Sequence, residues 1–180
     1  MSKKIILLAG PTASGKSKLA IEIAKKIKGE IINADSMQVY KDFSILSSRP
    51  LKSDLKKIKH HLFGFASSRK HFSTGAWLTL VKEKIKLCLK KNKTPILVGG
   101  TGLYFEAITK GMSKIPNIDF KKRYKIRDLQ IKLGQKNFYK QLLALDPLAK
   151  NKIEPFDTQR SIRAYEVKKF TKKSIFEWYK

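Results

Sequence analysis

The stretch from Gly10 to Ser17 constrains the chain most strongly, because it fits the pattern G-x-x-x-x-G-K-[ST]. An apolar run, residues 5–9, precedes it and predicts a buried strand, while apolar residues at helical spacing follow it. A loop in this position turns backbone N–H groups inward at the positive end of a helix. We call it the phosphate loop, and it predicts a di- or triphosphate site made by Gly10, Pro11, Thr12, Ala13, Ser14, Gly15, Lys16 and Ser17. A chance glycine-rich turn is the alternative.

Two side chains of the phosphate loop carry separate expectations. Lys16 is expected to reach the outer phosphates of the ligand, and the hydroxyl of Ser17 is expected to coordinate Mg²⁺. The magnesium ion is therefore the one cofactor that the sequence predicts.

Asp35 follows a second predicted strand, residues 30–34. Ligands of open α/β sheets bind at the carboxyl ends of the strands, so Asp35 is expected to face the phosphate loop. A turn or helix-capping aspartate would fit the same spacing. Thr101 follows a further strand, residues 95–98, and two glycines, which places it beside the same anion or makes it a plain helix N-cap.

The acidic side chains that nucleotide-hydrolysing enzymes need are missing from their usual places. No acid follows the predicted strands at residues 62–65 and 96–98, where such an enzyme would hold its magnesium ion. The sequence therefore argues against an ordinary nucleotide-hydrolysing enzyme.

The charge of the chain points to a polyanionic partner. The sequence holds 40 Lys and Arg against 14 Asp and Glu, a formal net charge of +26. Such a field favours nucleic acid, although a biased genome composition would leave the same surplus. No apolar run is long enough for a membrane span, and we expect a cytoplasmic protein.

The pattern changes near residue 112. Residues 1–112 predict an α/β core, and residues 113–180 predict short basic helices near 120–133, 137–145, 147–153 and 157–170. Arg160 and Arg163 share a helix face, which fits either an RNA contact or a solvated charged surface. The pair Ser174 and Glu177 fits a capping box three residues before the chain stops, which suggests a fragment.

Structural roles are predicted for the adjacent histidines His60 and His61 and for the cysteine Cys88. Adjacent residues of an extended chain face opposite sides, so His60 and His61 are poor ligands for one metal and are expected to pack or hydrogen-bond. Cys88, the only cysteine, falls on an apolar helix face and is expected to be an inert core thiol.

With these pieces in place, the sequence resembles the tRNA dimethylallyltransferases, also called tRNA isopentenyltransferases. The resemblance covers nearly the whole chain, apparently C-terminally truncated. It is carried by residues 10–17, 33–38 with Tyr40 and Lys41, 60–62, 98–104 and 157–163 with Ala164, Glu166 and Val167. It implies a P-loop NTPase-like parallel sheet with a helical insertion lobe that binds tRNA.

The resemblance also implies a reaction. A dimethylallyl group passes from dimethylallyl diphosphate to N6 of adenosine 37, beside the tRNA anticodon, and diphosphate is released. Asp35 would accept the proton of the adenine amine, and Thr101 would contact the phosphate. The anticodon stem-loop would be contacted by Asp35, Ser36, Met37, Gln38, Thr101, Arg123, Gln159, Arg160, Ser161, Ile162 and Arg163. We expect the protein to act as a monomer.

Family members are commonly longer and return to the sheet after the helical lobe. We therefore expect weak or absent activity from these 180 residues alone, and an exposed sheet edge. Two other functions stay open: a P-loop kinase of small molecules, with Asp35 as base and ATP as donor, and a non-catalytic RNA-binding module.

Overall fold

A computed structural model describes residues 4–69 and 72–179. The chain forms two compact units, residues 1–112 and residues 113–180. The elements of the first unit are β1 (Ile6–Ala9), α1 (Lys16–Ile27), β2 (Gly29–Asn33), α2 (Lys52–Lys57), β3 (His60–His61), α3 (Thr74–Lys90), β4 (Thr94–Gly99) and α4 (Gly102–Lys110). Those of the second are α5 (Phe120–Leu145), a 3₁₀ turn (Pro147–Ala149), α6 (Thr158–Thr171) and α7 (Ile175–Trp178).

The first unit is built on one parallel sheet with the strand order β1-β4-β2-β3. The predicted α/β class with a parallel sheet is thereby confirmed. Strand β1 lies at one edge of this sheet, and its residue Leu7 is 42% exposed. Parallel strands place all their carboxyl ends at the same edge of the sheet, so the loops that follow β1, β2 and β4 meet there.

Both faces of the sheet are covered, because neighbouring residues of a strand point to opposite sides. Ile31 packs with Ala20 and Ala24 of α1. Ile32 packs on the other face with Trp77 of α3. The indole N–H of Trp77 donates to the carbonyl of Asn33 at 2.9 Å, which ties α3 to the end of β2.

The third strand is shorter than the predicted one. Residues 62–65 are predicted to be extended, but only His60 and His61 pair with β2. Leu62 has φ 61° and Gly64 has φ 55°, and neither value is compatible with an extended strand. The short strand predicted within residues 60–65 is therefore confirmed at His60 and His61, and its extension through residues 62–65 is wrong.

The second unit is helical, as predicted, but its boundaries differ. The predicted helices 120–133 and 137–145 form one element, α5, interrupted at Gly134 with φ 68° and ψ 159°. The predicted helix 147–153 is only a 3₁₀ turn at Pro147–Ala149. The core of the unit contains Phe138, Leu142, Ala164 and Val167, all completely buried.

The capping box at the last helix is confirmed. The hydroxyl of Ser174 accepts from the backbone, and the carboxylate of Glu177 accepts from the N–H of Ser174 at 2.6 Å. Among the residues that the structure describes, none of the helices combines the length and apolar content of a membrane span.

The first prediction concerns Gly99, which lies against the backbone of Ala34. A Cβ atom at this position would lie 2.0 Å from the carbonyl oxygen of Ala34, which belongs to the backbone and cannot move aside cheaply. We expect Gly99→Ala to destabilise the first unit by about 1–3 kcal/mol or more, as overpacking does. Denaturant unfolding followed by Trp77 fluorescence, in a Trp178→Phe background, measures this loss.

Gly102→Ala is the matched control. A Cβ atom at Gly102 meets nothing within 4 Å, and the residue opens helix α4, where alanine is a better helix former. We expect it to leave the unfolding midpoint unchanged or raised. An equal loss of stability in both variants would contradict the close approach at Gly99.

Candidate active site

The phosphate loop has the backbone that the sequence predicts. Helix α1 begins at Lys16, and Gly15 precedes it with φ 81°, a left-handed conformation that glycine adopts without strain. The N–H groups of the first helical turn have no partner within the helix, which makes this end of α1 suitable for binding an anion. The ammonium group of Lys16 donates to the carbonyl of Pro11 and lies over its own loop.

Asp35 is held by the residue at the end of β2. The side chain of Asn33 accepts from the N–H of Asp35 at 2.9 Å and donates to the carbonyl of the same residue at 2.9 Å. Its amide also donates to the carbonyl of Leu62 at 3.0 Å, so this buried side chain joins two loops. One carboxylate oxygen of Asp35, Oδ1, accepts from the N–H of Met37 at 2.9 Å.

Thr101 is the N-cap residue of α4, but its hydroxyl makes no cap hydrogen bond. The hydroxyl instead accepts from the N–H of Ser36 at 2.8 Å and donates to the hydroxyl of Ser36 at 3.2 Å. The backbone N–H of Thr101 donates to the carbonyl of Ala34 at 3.3 Å. Thr101 thus joins the chain after β4 to the chain after β2, directly beside Asp35.

A cavity of about 520 Å³ brings most of these groups together. Its polar wall includes residues 12–18 of the phosphate loop and α1, together with Asp35 and Gln38. Apolar side chains complete the wall, and they include Ile21, Ile31, Phe63 and Val98. An anion cradle, a carboxylate and an apolar surface therefore share one space.

Four predicted site residues of the first unit do not line this cavity: Gly10, Pro11, Ser36 and Thr101. Ser36 and Thr101 lie behind Asp35 through their mutual hydrogen bonds. Gly10 lies beside the glycine turn, since a Cβ atom at Gly100 would be 3.3 Å from the carbonyl of Gly10 and 3.8 Å from Oδ2 of Asp35.

The sequence did not predict that Asn33 and Gly100 each help to position Asp35. Asn33 is completely buried among apolar neighbours, and its signal was a single amide at the end of an apolar strand. Gly100 could have been found from the glycine pair that precedes Thr101, because close backbone approach often requires glycine.

The two arginines of helix α6 in the second unit form different ion pairs. The exposed Arg160 pairs with Asp157, the N-cap residue, at 3.0 Å. Arg163 and Arg123 both donate to Oε2 of Glu166, at 3.4 and 3.2 Å. The side chain of Glu166 is 1% exposed, so this ion cluster lies partly inside the unit.

Two of the predicted RNA contacts, Ser161 and Ile162, are buried. Ser161 is 0% exposed and Ile162 is 7% exposed, and Ile162 belongs to the core of the second unit. Their side chains contribute to packing, and a contact with RNA at these two positions stays a prediction. Gln159 and Arg160 precede them on the same helix and are exposed.

Comparison with known proteins assigns the family. The family model described as IPP transferase matches residues 38–180. The chain belongs to the IPP transferase family. The resemblance drawn from the sequence motifs is thereby confirmed.

Relatives and solved structures agree with this assignment. The tRNA dimethylallyltransferases of Pelagibacter ubique and Rickettsia massiliae are 60% and 49% identical to this IPP transferase family chain, over 97% and 98% of its length. The chain covers 56% and 48% of those relatives, so it spans about half their length.

Among solved structures, a eukaryotic dimethylallyltransferase acting on tRNA is similar with a TM-score of 0.78 and 31% identity, covering 99% of this chain and 44% of that one. The tRNA isopentenylpyrophosphate transferase of Bacillus halodurans is similar with a TM-score of 0.61 and 31% identity, covering 94% and 56%. The P-loop NTPase-like fold expected from the sequence is confirmed by these neighbours.

The bridge between Thr101 and Ser36 generates the second prediction. Thr101→Val keeps the shape of the side chain but removes the acceptor of the Ser36 N–H, at a cost of about 1–3 kcal/mol for an unsatisfied donor. We expect the amide of Ser36 to exchange with solvent markedly faster, as measured by NMR hydrogen exchange. Thr101→Ser retains the hydroxyl and should keep the protection, and equal protection in both variants would contradict the bridge.

Arg123 and Arg160 generate the third prediction, because they differ in what they touch. Arg123→Ala removes one partner of the buried Glu166 and is expected to destabilise the second unit by about 1–3 kcal/mol. Arg160→Ala removes an exposed ion pair and is expected to change stability by no more than about 0.5 kcal/mol. Denaturant unfolding followed by Trp178 fluorescence in a Trp77→Phe background separates the two, and similar losses would contradict the assignment.

Proposed function

We propose that this chain supplies the diphosphate-binding part and the proton-accepting acid of a tRNA dimethylallyltransferase. The enzyme transfers a dimethylallyl group from dimethylallyl diphosphate to N6 of adenosine 37 and releases diphosphate. The observation that carries the proposal is the shared cavity, lined by both the phosphate loop and Asp35.

The phosphate loop binds the diphosphate of the donor. Its backbone N–H groups and Lys16 stabilise the negative charge that grows on the diphosphate as the allylic C–O bond breaks. The exposed hydroxyl of Ser17, in the first turn of α1, fits a hard oxygen-ligated ion such as Mg²⁺. When bound, that ion would supply further charge neutralisation to the leaving group.

The apolar part of the cavity suits the other end of the same donor. Ile21, Phe63 and Val98 offer an apolar surface beside the cradle, which a dimethylallyl group can contact. Excluding water there protects an electrophilic allylic carbon from hydrolysis. This combination favours a prenyl diphosphate over a donor that is polar along its whole length.

Asp35 accepts the proton of the adenine amine as the new C–N bond forms. Its Oδ1 is occupied by the N–H of Met37, which fixes the orientation of the carboxylate. Its Oδ2 lies on the side of Gly100, where the lack of a side chain leaves room. A proton acceptor needs only hydrogen-bond reach of the group that it deprotonates.

The RNA is bound through charge and through single-stranded bases. The target adenine has to leave its stack before N6 can reach the acid, and an anticodon loop makes this step cheap. The chain carries a formal charge of +26, and Gln159 and Arg160 lie exposed at the start of α6. Since the phosphate loop and Asp35 belong to one chain, the proposed full-length enzyme works as a monomer, and we place it in the cytoplasm.

The fourth prediction tests the reaction in a chimera. The 180-residue chain is joined to the part of the Pelagibacter ubique relative that follows the matched region, since the match covers 97% of the chain at 60% identity. The chimera is incubated with unmodified tRNA and dimethylallyl diphosphate, and mass spectrometry of the nucleosides follows the adenosine at position 37. We expect Asp35→Asn to lower the rate by about 10²–10⁴-fold, the range for loss of a general base.

Asp42→Asn is the matched control. Asp42 is an exposed acid seven positions further along the chain that accepts from the hydroxyl of Ser68 at 2.6 Å and does not line the cavity. It should leave the rate unchanged. Phosphoryl transfer from ATP in place of prenyl transfer would support the kinase, and tRNA binding without modification would support the non-catalytic module. Either result would overturn the proposal.

A further inference from the structure

A second cluster of reactive side chains lies away from the phosphate loop. Glu30 of β2, His61 of β3 and Cys88 of α3 bring a carboxylate, an imidazole and a thiol together on the α3 face of the sheet. Nε2 of His61 and Oε2 of Glu30 are 2.6 Å apart. The thiol of Cys88 donates to the same carboxylate oxygen at 3.5 Å and lies 3.9 Å from the imidazole nitrogen.

The three atoms are close enough to one another to bind one ion, with separations of 2.6, 3.5 and 3.9 Å. Zinc bonds are about 2.0–2.1 Å to histidine nitrogen, 2.0–2.2 Å to carboxylate oxygen and 2.3 Å to cysteine sulfur. At these bond lengths a tetrahedral ion holds its nitrogen and oxygen ligands about 3.3 Å apart and its sulfur about 3.5 Å from each of them. The contacts of Cys88 are therefore near the required lengths, and Nε2 of His61 and Oε2 of Glu30 have to separate by about 0.7 Å when the ion binds.

The donor types also fit one class of ion. A thiolate with an imidazole suits a borderline-soft divalent ion, whereas Mg²⁺ and Ca²⁺ prefer oxygen ligands throughout. The charges of such a site would balance, since a divalent cation meets one thiolate and one carboxylate. The side chains of His61 and Glu30 are 11% and 10% exposed, which leaves a short path from solvent.

Without a metal the cluster is a hydrogen-bonded network. Burial and the neighbouring charge of Glu30 raise the pKa of the Cys88 thiol to about 11, so the sulfur stays protonated. Burial would raise the pKa of Glu30, but hydrogen bonds from His61 and Cys88 outweigh it and lower that pKa. The carboxylate is therefore already charged and in position.

The location separates this cluster from the proposed active site. Glu30 lies near the amino end of β2, and Asp35 lies beyond its carboxyl end, five residues or about 16 Å away along an extended chain. A metal at the cluster would link β2, β3 and α3 and would touch none of the groups assigned to prenyl transfer.

We propose that Glu30, His61 and Cys88 bind one zinc ion, with Oε2, Nε2 and Sγ as ligands and one water molecule as the fourth. Zinc replaces the thiol proton of Cys88, which passes to solvent. His61 binds as the neutral imidazole through Nε2, with its single N–H proton on Nδ1. The site is independent of the proposed function.

Cobalt titration tests the site in the 180-residue chain after treatment with a chelator. Because Cys88 is the only cysteine, a thiolate-to-cobalt charge-transfer band can arise only from that residue. We expect the band to saturate at one Co²⁺ per chain and to disappear when Zn²⁺ is added. Zinc at one hundred times its dissociation constant should raise the melting temperature by about 5–10 °C.

Variants make the outcome specific. Cys88→Ser should abolish the band, and His61→Gln should weaken Co²⁺ binding at least tenfold. His60→Gln is the matched control, because His60 lies on the other side of β3, edge-to-face with Phe63, and should bind Co²⁺ like the parent chain. Circular dichroism of the metal-free variants verifies that each is folded.

Three results would overturn the proposal. The first is a folded parent chain that gives no charge-transfer band. The second is a band that saturates at one Co²⁺ per two chains and fades on dilution, which would mean a metal shared between two molecules. The third is a band of unchanged affinity in His61→Gln.

Discussion

The close approach of β2 and β4 at their carboxyl ends is the contact on which the proposed site depends. The N–H of Ala34 donates to the carbonyl of Val98 at 2.8 Å, and Gly99 then lies against the Ala34 backbone with no space for a Cβ atom. The segments that follow β2 and β4 therefore leave the sheet side by side. Asp35 and Thr101 are close in space because the backbones that carry them are already in contact at Ala34 and Gly99.

This contact explains why the site is held by backbone groups rather than by long side chains. Asn33 closes a local turn around Asp35, and Thr101 receives the N–H of the next residue, Ser36. Each bond joins a short side chain to the main chain, so few rotatable bonds have to be ordered. A site of this kind is preorganised at low entropic cost, which is what a general base and an anion cradle both require.

Much of the first unit could be predicted from the sequence because its signals are local. The apolar runs and glycine turns predicted β1, β2 and β4, and the parallel arrangement then placed Asp35 on the same edge as the phosphate loop. The end of β3 could not be predicted, since apolar residues continue through Phe65 while Leu62 adopts a positive φ. Backbone turns made by non-glycine residues leave little trace in hydrophobic patterning.

The features that sequence reasoning missed depend on distant residues. The motif at residues 157–163 could not reveal that Ser161 and Ile162 face the core of the second unit. Arg123 meets Glu166 across 43 positions, and Glu30 meets His61 and Cys88 across 31 and 58 positions. Such clusters follow from which helix packs on which strand, and spacing along the chain does not encode them.

The few acids of the chain are divided between its interior and its surface. Three of the 14 acids, Glu30, Asp146 and Glu166, are buried, while the described part of the chain buries no lysine or arginine. Each buried acid has a specific partner: His61, Ser174, or the pair Arg123 and Arg163. Carboxylates placed inside hold elements together, although their charge still counts in the long-range field of the protein. Among the side chains that a partner would contact directly, basic residues therefore outnumber acidic ones even more than the composition indicates.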